Sequence, residues 1–285
     1  MADLSSHPTR ILMFVAFLLT AEMAGRIGSE QTGSAPGRMK LYEGEYMVTG
    51  GGEDETATSS NLPVNSFRET WTMWRAENGY FEVEGDRVYE SADSVFHNSK
   101  FSARLSPTKR LLSVTDYGKL RFQKDSGPLT CDFHAMDVHC TSNAKDPSDS
   151  VDVRLPLDHP AGLFTPLSPL SWSSVTRGMT MNSSELKQVQ MISIREVSAR
   201  DPVALEVFDG AVRYIHSEDF TTAGRTWRAD RFEVKLPLHP KSTVWTSPEG
   251  ILLAVSFGGG EGEGLRLQTF RSLVSPEMLT TSDKR

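Results

Sequence analysis

Cysteine is scarce in this chain of 285 residues: there are two, and both lie within residues 129–141. Basic residues are outnumbered by acidic ones, 30 against 37, which leaves a formal net charge of −7. No cluster of lysine and arginine is long enough to follow a phosphate backbone. Nucleic-acid binding is therefore excluded as a function class.

Sequence motifs of catalysis are missing too. The chain has no nucleophile elbow, zincin helix, dinucleotide loop, P-loop or protein-kinase motif. Glycoside hydrolysis is not excluded by this, because it needs only two carboxylates that folding brings together, and the chain has many acidic residues. The sequence therefore predicts no catalytic residue and no cofactor.

The longest apolar run, residues 11–21, is too short to span a bilayer as a helix. It follows Arg10 and has the length typical of a secretory signal, so residues 1–25 are predicted to be a cleaved signal peptide. A single membrane anchor and a buried helix are the alternatives. No cysteine lies directly after the run, so a lipid-anchored form is not supported. The predicted location is periplasmic or secreted, with no membrane span in the mature protein.

Residues 26–39 are rich in Gly, Ser and Pro and are predicted to be a flexible spacer. After them, short stretches with a period of two are separated by turn signals; Phe67, Trp71 and Met73, for example, share one face. No helical stripe competes with this pattern. It predicts an all-β fold, a large antiparallel meander with one covered face. Residues 40–275 are predicted to form a single β domain, with a division near residues 156–181 left open, and residues 276–285 a polar tail.

The two cysteines lie in a stretch that alternates like a β-hairpin. If the chain turns between Ala135 and Met136, Cys131 lies opposite Cys140 on the apolar face. Facing cysteines in an antiparallel pair are close enough to be bridged, and a single such pair fits an oxidising compartment. The sequence predicts a disulfide, with two free buried thiols as the alternative.

Two histidines in the same stretch raise the question of a zinc site. His134 and His139 fall on the face opposite the cysteines, so four ligands cannot converge on one ion. No metal site is predicted. In this register Asp132 lies opposite His139, and we interpret them as an exposed cross-strand charge pair, because no nucleophile lies beside them.

Residues 156–181 are the least regular apolar segment, and its prolines prevent a long helix. Its apolar side chains are too numerous to leave in water, so the segment must pack on the sheet. We hypothesise that it covers the open side of the sheet and controls entry to a site, with ordinary core packing as the alternative. The candidate ligand-binding residues are Phe164, Leu167, Leu170 and Trp172 from this segment, with Trp227 and Trp245.

Residues 224–234 (GRTWRADRFEV) and 244–254 (VWTSPEGILLA) contain a Gly-led strand, a strand carrying Trp, a turn glycine and an apolar strand. This pattern resembles the C-terminal part of uncharacterised bacterial extracytoplasmic β proteins, whose sheets are similar to those of the lipoprotein-localisation carriers. The resemblance implies a curved antiparallel sheet, a half-open barrel that shelters an apolar ligand. Trp227 is out of phase with Phe232 and Val234, which predicts a bulge between them or an outward aromatic ring.

These features predict a non-catalytic exported protein that binds or carries an apolar or amphipathic ligand in the cell envelope. A glycan-active enzyme on a β-sandwich and an envelope protein-interaction module are the alternatives. A converging pair of buried carboxylates would favour the enzyme, whereas a long apolar cavity between the sheet and residues 156–181 would favour the carrier. The oligomeric state is left open.

Overall fold

A computed structural model describes residues 37–49, 66–91, 94–117, 127–143, 150–159, 161–164, 169–176, 185–195, 204–236, 239–257 and 264–274. The predicted signal peptide and polar tail lie outside these residues. The predicted spacer ends earlier than expected, because Arg38 and Met39 already pair with the second strand. Within the described residues no helix is long and apolar enough to cross a membrane.

The described residues form fifteen strands and one short helix, which confirms the all-β class. The strands are β1 (Arg38–Thr49), β2 (Ser66–Ala76), β3 (Phe81–Ser91), β4 (Ser94–Leu105), β5 (Leu111–Asp116), β6 (Leu129–Phe133), β7 (Asp137–Ser142), β8 (Val151–Pro156), β9 (Ala161–Phe164), β10 (Lys187–Arg195), β11 (Ala204–Thr222), β12 (Arg225–Leu236), β13 (His239–Thr246), β14 (Leu252–Phe257) and β15 (Gly264–Ser272). The helix is α1 (Pro169–Thr176).

All fifteen strands belong to one sheet, in the order β8-β7-β6-β5-β4-β3-β2-β1-β15-β14-β13-β12-β11-β10-β9. Every pair is antiparallel except β9 with β10. The first and last strands, β1 and β15, pair near the middle of the sheet. They therefore join the meander β1–β8 to the other half of the sheet, β9–β15.

The two edges of the sheet, β8 and β9, follow each other in the sequence. The few residues between them span at most roughly 18 Å, whereas fifteen strands laid flat would be about 67 Å wide at 4.8 Å per spacing. The sheet must therefore curve until its edges nearly meet. This confirms the curved, half-open barrel. Its two edge strands are joined by a turn of the chain, and within the described residues they do not pair with each other.

A buried amide holds that turn in place. Gln190 of β10 accepts hydrogen bonds at Oε1 from the backbone N–H groups of Asp158 (2.8 Å) and His159 (3.0 Å). Its Nε2 donates to Asp209 on β11 at 3.0 Å. Gln190 is 5 % exposed, so water has little access to the groups that it binds and cannot readily take its place. The side chain thus ties the edge strands to the sheet.

Replacing Gln190 by leucine is expected to lower the free energy of unfolding by about 1–3 kcal/mol, because it leaves two backbone donors without an acceptor. Urea unfolding followed by circular dichroism measures the change. The matched control is Gln188→Leu, an exposed neighbour on the same strand, which is expected to stay within about 0.5 kcal/mol of the native protein. Equal losses in the two variants would contradict a structural role for the amide.

One face of the sheet carries the core, and we call it the inner face. In β2 the period of two is regular: Phe67, Glu69, Trp71 and Met73 are buried, and the residues between them are more exposed. The predicted apolar set of this strand is confirmed, but it also includes a carboxylate. Helix α1 packs on this side of the molecule, against β9, β13 and β14.

The cysteine hairpin has the predicted register. β6 and β7 pair with Cys131 opposite Cys140, and the two sulfurs form a disulfide. The His134 N–H donates to the Asp137 carbonyl at 2.9 Å, which closes the turn across Ala135 and Met136.

The charge pair predicted beside the disulfide is different from the one observed. Asp132 does lie opposite His139, but His139 Nε2 contacts Asp152 Oδ1 on β8 at 2.7 Å. β8 lies on the other side of β7, and its carboxylate is the one that reaches the imidazole. The sequence alone did not show that β8 would pair there.

The proline-rich segment is more regular than predicted, since it contains β9 and α1. Pro169 occupies the first helical position, where a missing N–H is tolerated. Parallel strands such as β9 and β10 need a crossover, and α1 lies on that crossover. Residues 165–168 and 177–181 lie outside the described residues.

Candidate functional site

Helix α1 packs on the inner face of the sheet. Trp172 is 1 % exposed, and its ring centroid lies 5.6 Å from that of Phe257 on β14. Leu170 is buried as well. Gly162 of β9 allows the close approach, because a Cβ built there would lie 2.4 Å from Ser174 Oγ of the helix. The predicted packing of this segment on the sheet is therefore seen for Leu170 and Trp172.

Between α1 and strands β1–β4 there is a cavity of about 20 Å³. A space of this size holds about one water molecule. Its walls are Tyr46, Glu69, Trp71, Met73, Val83, Phe101 and Ile251 on the sheet side and Pro169, Leu170 and Ser173 on the helix side. The wall is therefore mostly aromatic and aliphatic, with one carboxylate.

Aromatic rings and glycines alternate across the sheet beside this cavity. The cross-strand register runs Phe270, Gly44, Trp71, Gly85 and Phe101 through β15, β1, β2, β3 and β4. A Cβ at Gly44 would lie 2.9 Å from the Trp71 ring, and one at Gly85 would lie 2.4 Å from the Phe101 ring. The Trp71 and Phe101 rings therefore lie against glycine backbone, where any larger residue would clash with them.

An ionic cluster is buried on the same face. Arg87 Nε donates to Glu69 Oε2 at 2.8 Å, and its Nη1 donates to Asp116 Oδ2 at 2.9 Å. Glu69 and Arg87 are 1 % and 3 % exposed. Buried ion pairs contribute little net stability, because desolvation offsets their attraction. Ligand sites are one place where such charged groups occur, because a few polar groups in a mostly apolar wall fix the orientation of a ligand.

Trp71 contributes an unused donor. Its side chain is 6 % exposed, and the indole Nε1 has no hydrogen-bond partner within the described part of the chain. A buried donor without an acceptor costs about 1–3 kcal/mol. Such a group is typical of a place where a water molecule or a ligand supplies the acceptor.

Trp227 extends the aromatic surface. It is 7 % exposed and meets Phe270 edge-on, with ring centroids 4.9 Å apart. The guanidinium of Arg225 lies 3.4 Å from the Trp227 ring centroid, and desolvation lowers the pKa of Arg225. The ring of Phe270 in turn lies beside that of Trp71, with centroids 6.4 Å apart. Ring contacts therefore connect Trp227 to the wall of the cavity.

Of the two alternatives predicted for Trp227, the outward ring is wrong, whereas an irregularity of the register does lie between Trp227 and Phe232. The ring is buried and not outward, and β12 pairs with β11 without an extra residue of its own. The shift lies in the partner, where the register changes between Tyr214 and His216. A bulge in a neighbouring strand could not be assigned from the alternation of β12 alone.

Trp245 belongs to a separate cluster. It stacks on Phe220 with centroids 5.2 Å apart, and its Nε1 donates to Glu218 Oε1 at 2.6 Å. This hydrogen bond lowers the pKa of Glu218. The structure therefore connects Leu170 and Trp227 to the cavity wall but not Trp245. Leu167 and the side chain of Phe164 lie outside what the structure describes.

The opposite face of β15, β1, β2 and β3 bears an open trough of about 560 Å³. Four carboxylates line it, and each pairs with a cation: Glu43 with Lys40, Glu45 with Arg68, Glu84 with Arg38, and Asp86 with Lys100. The hydrogen bond from Lys40 lowers the pKa of Glu43. A glycosidase acid needs a raised pKa, so these contacts do not favour the enzyme alternative.

No protein-family model matches the chain, and no curated protein matches it. Among solved structures, it is similar to a beta-barrel-like protein of a domain of unknown function, DUF1849, from Brucella abortus. The TM-score is 0.49 and the identity 8 %, over 84 % of this chain and 100 % of the other.

Proposed function

We propose that this protein binds an apolar or amphipathic small molecule on the inner face of its sheet, beneath α1. The observation that carries the proposal is the cavity between α1 and the row of aromatic rings. One residue of its wall is Trp71, whose buried indole N–H has no partner among the described residues. Ligand sites are mostly apolar surfaces with a few polar groups that fix orientation, and this wall has that composition.

Binding requires α1 to move, because the cavity of about 20 Å³ is far smaller than the roughly 300 Å³ of a typical ligand pocket. The helix has eight residues, fewer than the 12–15 or so that a helix needs to be stable without tertiary contacts. The opposite wall belongs to continuous strands of the sheet. The helix is thus the part of the boundary that can yield, as the hypothesis of a lid over the sheet requires.

An exported location supports the same proposal. The disulfide between Cys131 and Cys140 is suited to an oxidising compartment. The signal peptide predicted for residues 1–25 would direct the chain there. An apolar ligand in the cell envelope needs a carrier, since it cannot cross an aqueous compartment freely.

Titration with cis-parinaric acid, a fluorescent fatty acid, tests the function. We expect saturable binding with energy transfer from tryptophan, and native mass spectrometry of protein purified from its own host should show a retained apolar molecule. A clean apo mass together with no saturable binding of the probe would refute the proposal.

A disulfide clamp tests the role of α1. An ideal Cβ at Gly162 lies 3.3 Å from Ser174 Cβ, close to the spacing of a disulfide. In the double variant Gly162→Cys, Ser174→Cys, oxidation should fix α1 on β9 and weaken probe binding at least about tenfold. Reduction of the same sample is the control, because it should open the engineered disulfide and restore binding. The native disulfide is buried and should stay intact. Equal binding before and after reduction would show that α1 does not gate the site.

A further inference from the structure

We propose that the polar end of the ligand is an anion, a carboxylate or a phosphate ester, held by the guanidinium of Arg225 at the tip of the hairpin β11–β12. The inference rests on the proposed function and specifies the ligand class of the same site. It is drawn from three features of Arg225: its position on two aromatic rings, its lack of an ion pair among the described residues, and the ring contacts that lead from it to the cavity.

The tip of this hairpin is fixed on β15. Thr222 pairs with Arg225 across a two-residue turn. Ala223 and Gly224 form the turn with left-handed backbone, at φ angles of 51° and 69°. The buried hydroxyl of Thr222 donates to the Leu267 carbonyl of β15 at 2.7 Å. This hydrogen bond anchors the tip, and with it the backbone of Arg225, on β15.

Two aromatic rings restrain the guanidinium. Its carbon atom lies 3.4 Å from the centroid of the Trp227 ring and 4.5 Å from that of the Phe270 ring. Trp227 is itself oriented, because its Nε1 donates to the Thr222 carbonyl at 3.2 Å. A guanidinium that packs on rings keeps the N–H groups of its edge, and their planar geometry matches a carboxylate or a phosphate.

Arg225 has no anionic partner in the part of the chain that the structure describes. No carboxylate there forms an ion pair or a hydrogen bond with it. Burial lowers the pKa of Arg225, and the negative charge of Glu249, which lies beyond ion-pair distance, raises it by a smaller amount. The guanidinium is thus partly desolvated, yet the residue is exposed enough to be reached from solvent. An anionic ligand would supply the missing counter-ion.

Tyr42 offers a second donor beside the same ring. Its ring centroid lies 5.6 Å from that of Phe270. Burial raises the pKa of the Tyr42 hydroxyl, and the charge of Glu249 adds to the rise, so the hydroxyl stays protonated and can donate a hydrogen bond. A guanidinium and a phenol among apolar rings are suited to the charged end of an amphipathic anion.

Ring contacts lead from Arg225 to the cavity beneath α1. The Phe270 ring lies 4.5 Å from the guanidinium carbon and 6.4 Å from the ring of Trp71, which is a residue of the cavity wall. One ring therefore separates the cation from the wall. A ligand can bind its anionic end at Arg225 while its hydrocarbon chain lies on the rings and reaches Met73 and Leu170 in the cavity.

The test is a series of amphiphiles with the same twelve-carbon chain, each used below its micelle concentration: dodecanoate, dodecyl phosphate, dodecyl maltoside and dodecyltrimethylammonium. Calorimetry is expected to give at least one anion about tenfold tighter binding than the maltoside, with the ammonium weakest. The stronger of the two anions identifies the headgroup. Equal affinities, or tightest binding of the ammonium, would overturn the anionic ligand but leave the proposed function intact. No binding of any of the four would refute the proposed function itself.

Variants locate the preference. Arg225→Gln should reduce the ratio of anion to maltoside affinity to about one, while maltoside binding persists. Arg225→Lys keeps the charge but loses the planar fork, so its ratio should be intermediate. The matched control is Arg228→Gln, which removes the same charge from an exposed arginine of the same strand, paired with Asp219 at 3.6 Å, and should leave the ratio unchanged.

Glu249→Gln works in the opposite direction. It removes the negative charge that acts on Arg225, so the ratio of anion to maltoside affinity should rise. If Arg225 only packs the hairpin tip on β15, Arg225→Gln will lower stability and leave the ratio as it is, which would contradict the proposal. If Arg225→Gln fails to fold, Arg225→Lys and Glu249→Gln decide, and a ratio unchanged in both counts against the anion site.

Discussion

Replacing Arg87 by methionine is expected to lower the free energy of unfolding by about 3–5 kcal/mol. Methionine keeps the length of the side chain but removes the guanidinium that Glu69 and Asp116 share. Glu69 is 1 % exposed, so water cannot take the place of the lost partner. Guanidinium chloride unfolding, followed by tryptophan fluorescence, measures the loss.

Two further variants distinguish a buried charge from a general loss of contacts. Arg38→Met removes an arginine that pairs with Glu82 and Glu84 on partly exposed side chains, and it should cost less than about 1 kcal/mol. The double variant Glu69→Met, Arg87→Met should recover much of the loss of the single one, because it leaves no unpaired carboxylate at position 69. A loss in Arg87→Met no greater than in Arg38→Met would contradict the burial of this cluster.

Trp172→Ala is the second change with a large expected effect. The side chain is 1 % exposed, and its removal should destabilise the closed position of α1 by about 3–5 kcal/mol. Trp172 does not line the cavity, so the ligand wall is kept. Because the closed helix competes with the ligand, we expect faster amide exchange in α1 and tighter binding of cis-parinaric acid.

Trp245→Ala is the control for this experiment. Its ring is only partly buried and packs on Phe220, away from the cavity wall, so neither α1 exchange nor probe affinity should change. Tighter binding in Trp172→Ala alone would support a helix that covers the site. Weaker binding with unchanged exchange in α1 would mean that Trp172 contacts the ligand and that the helix stays in place.

Local sequence patterns determined the elements that depend on near neighbours. The register of Cys131 with Cys140 followed from a period of two and a short turn, so both sides of the pairing lay within a dozen residues. The all-β class followed from the same alternation repeated along the chain. One residue of the cavity wall could have been recognised from the sequence. Glu69 lies between Phe67 and Trp71 in the alternation of β2, on the face that is buried, and a charge on that face indicates an interior partner.

Only the tertiary structure decided which distant residues meet. The pairing of β1 with β15 joins the two ends of the domain, and the parallel pair β9 and β10 places α1 on the inner face. The row of Gly44, Trp71 and Gly85 crosses three strands, and no single strand contains its alternation. The sequence by itself determined which way each side chain points along its strand, because that depends on backbone geometry. Strand order and register decided which side chains lie together, because they depend on the packing of the whole sheet.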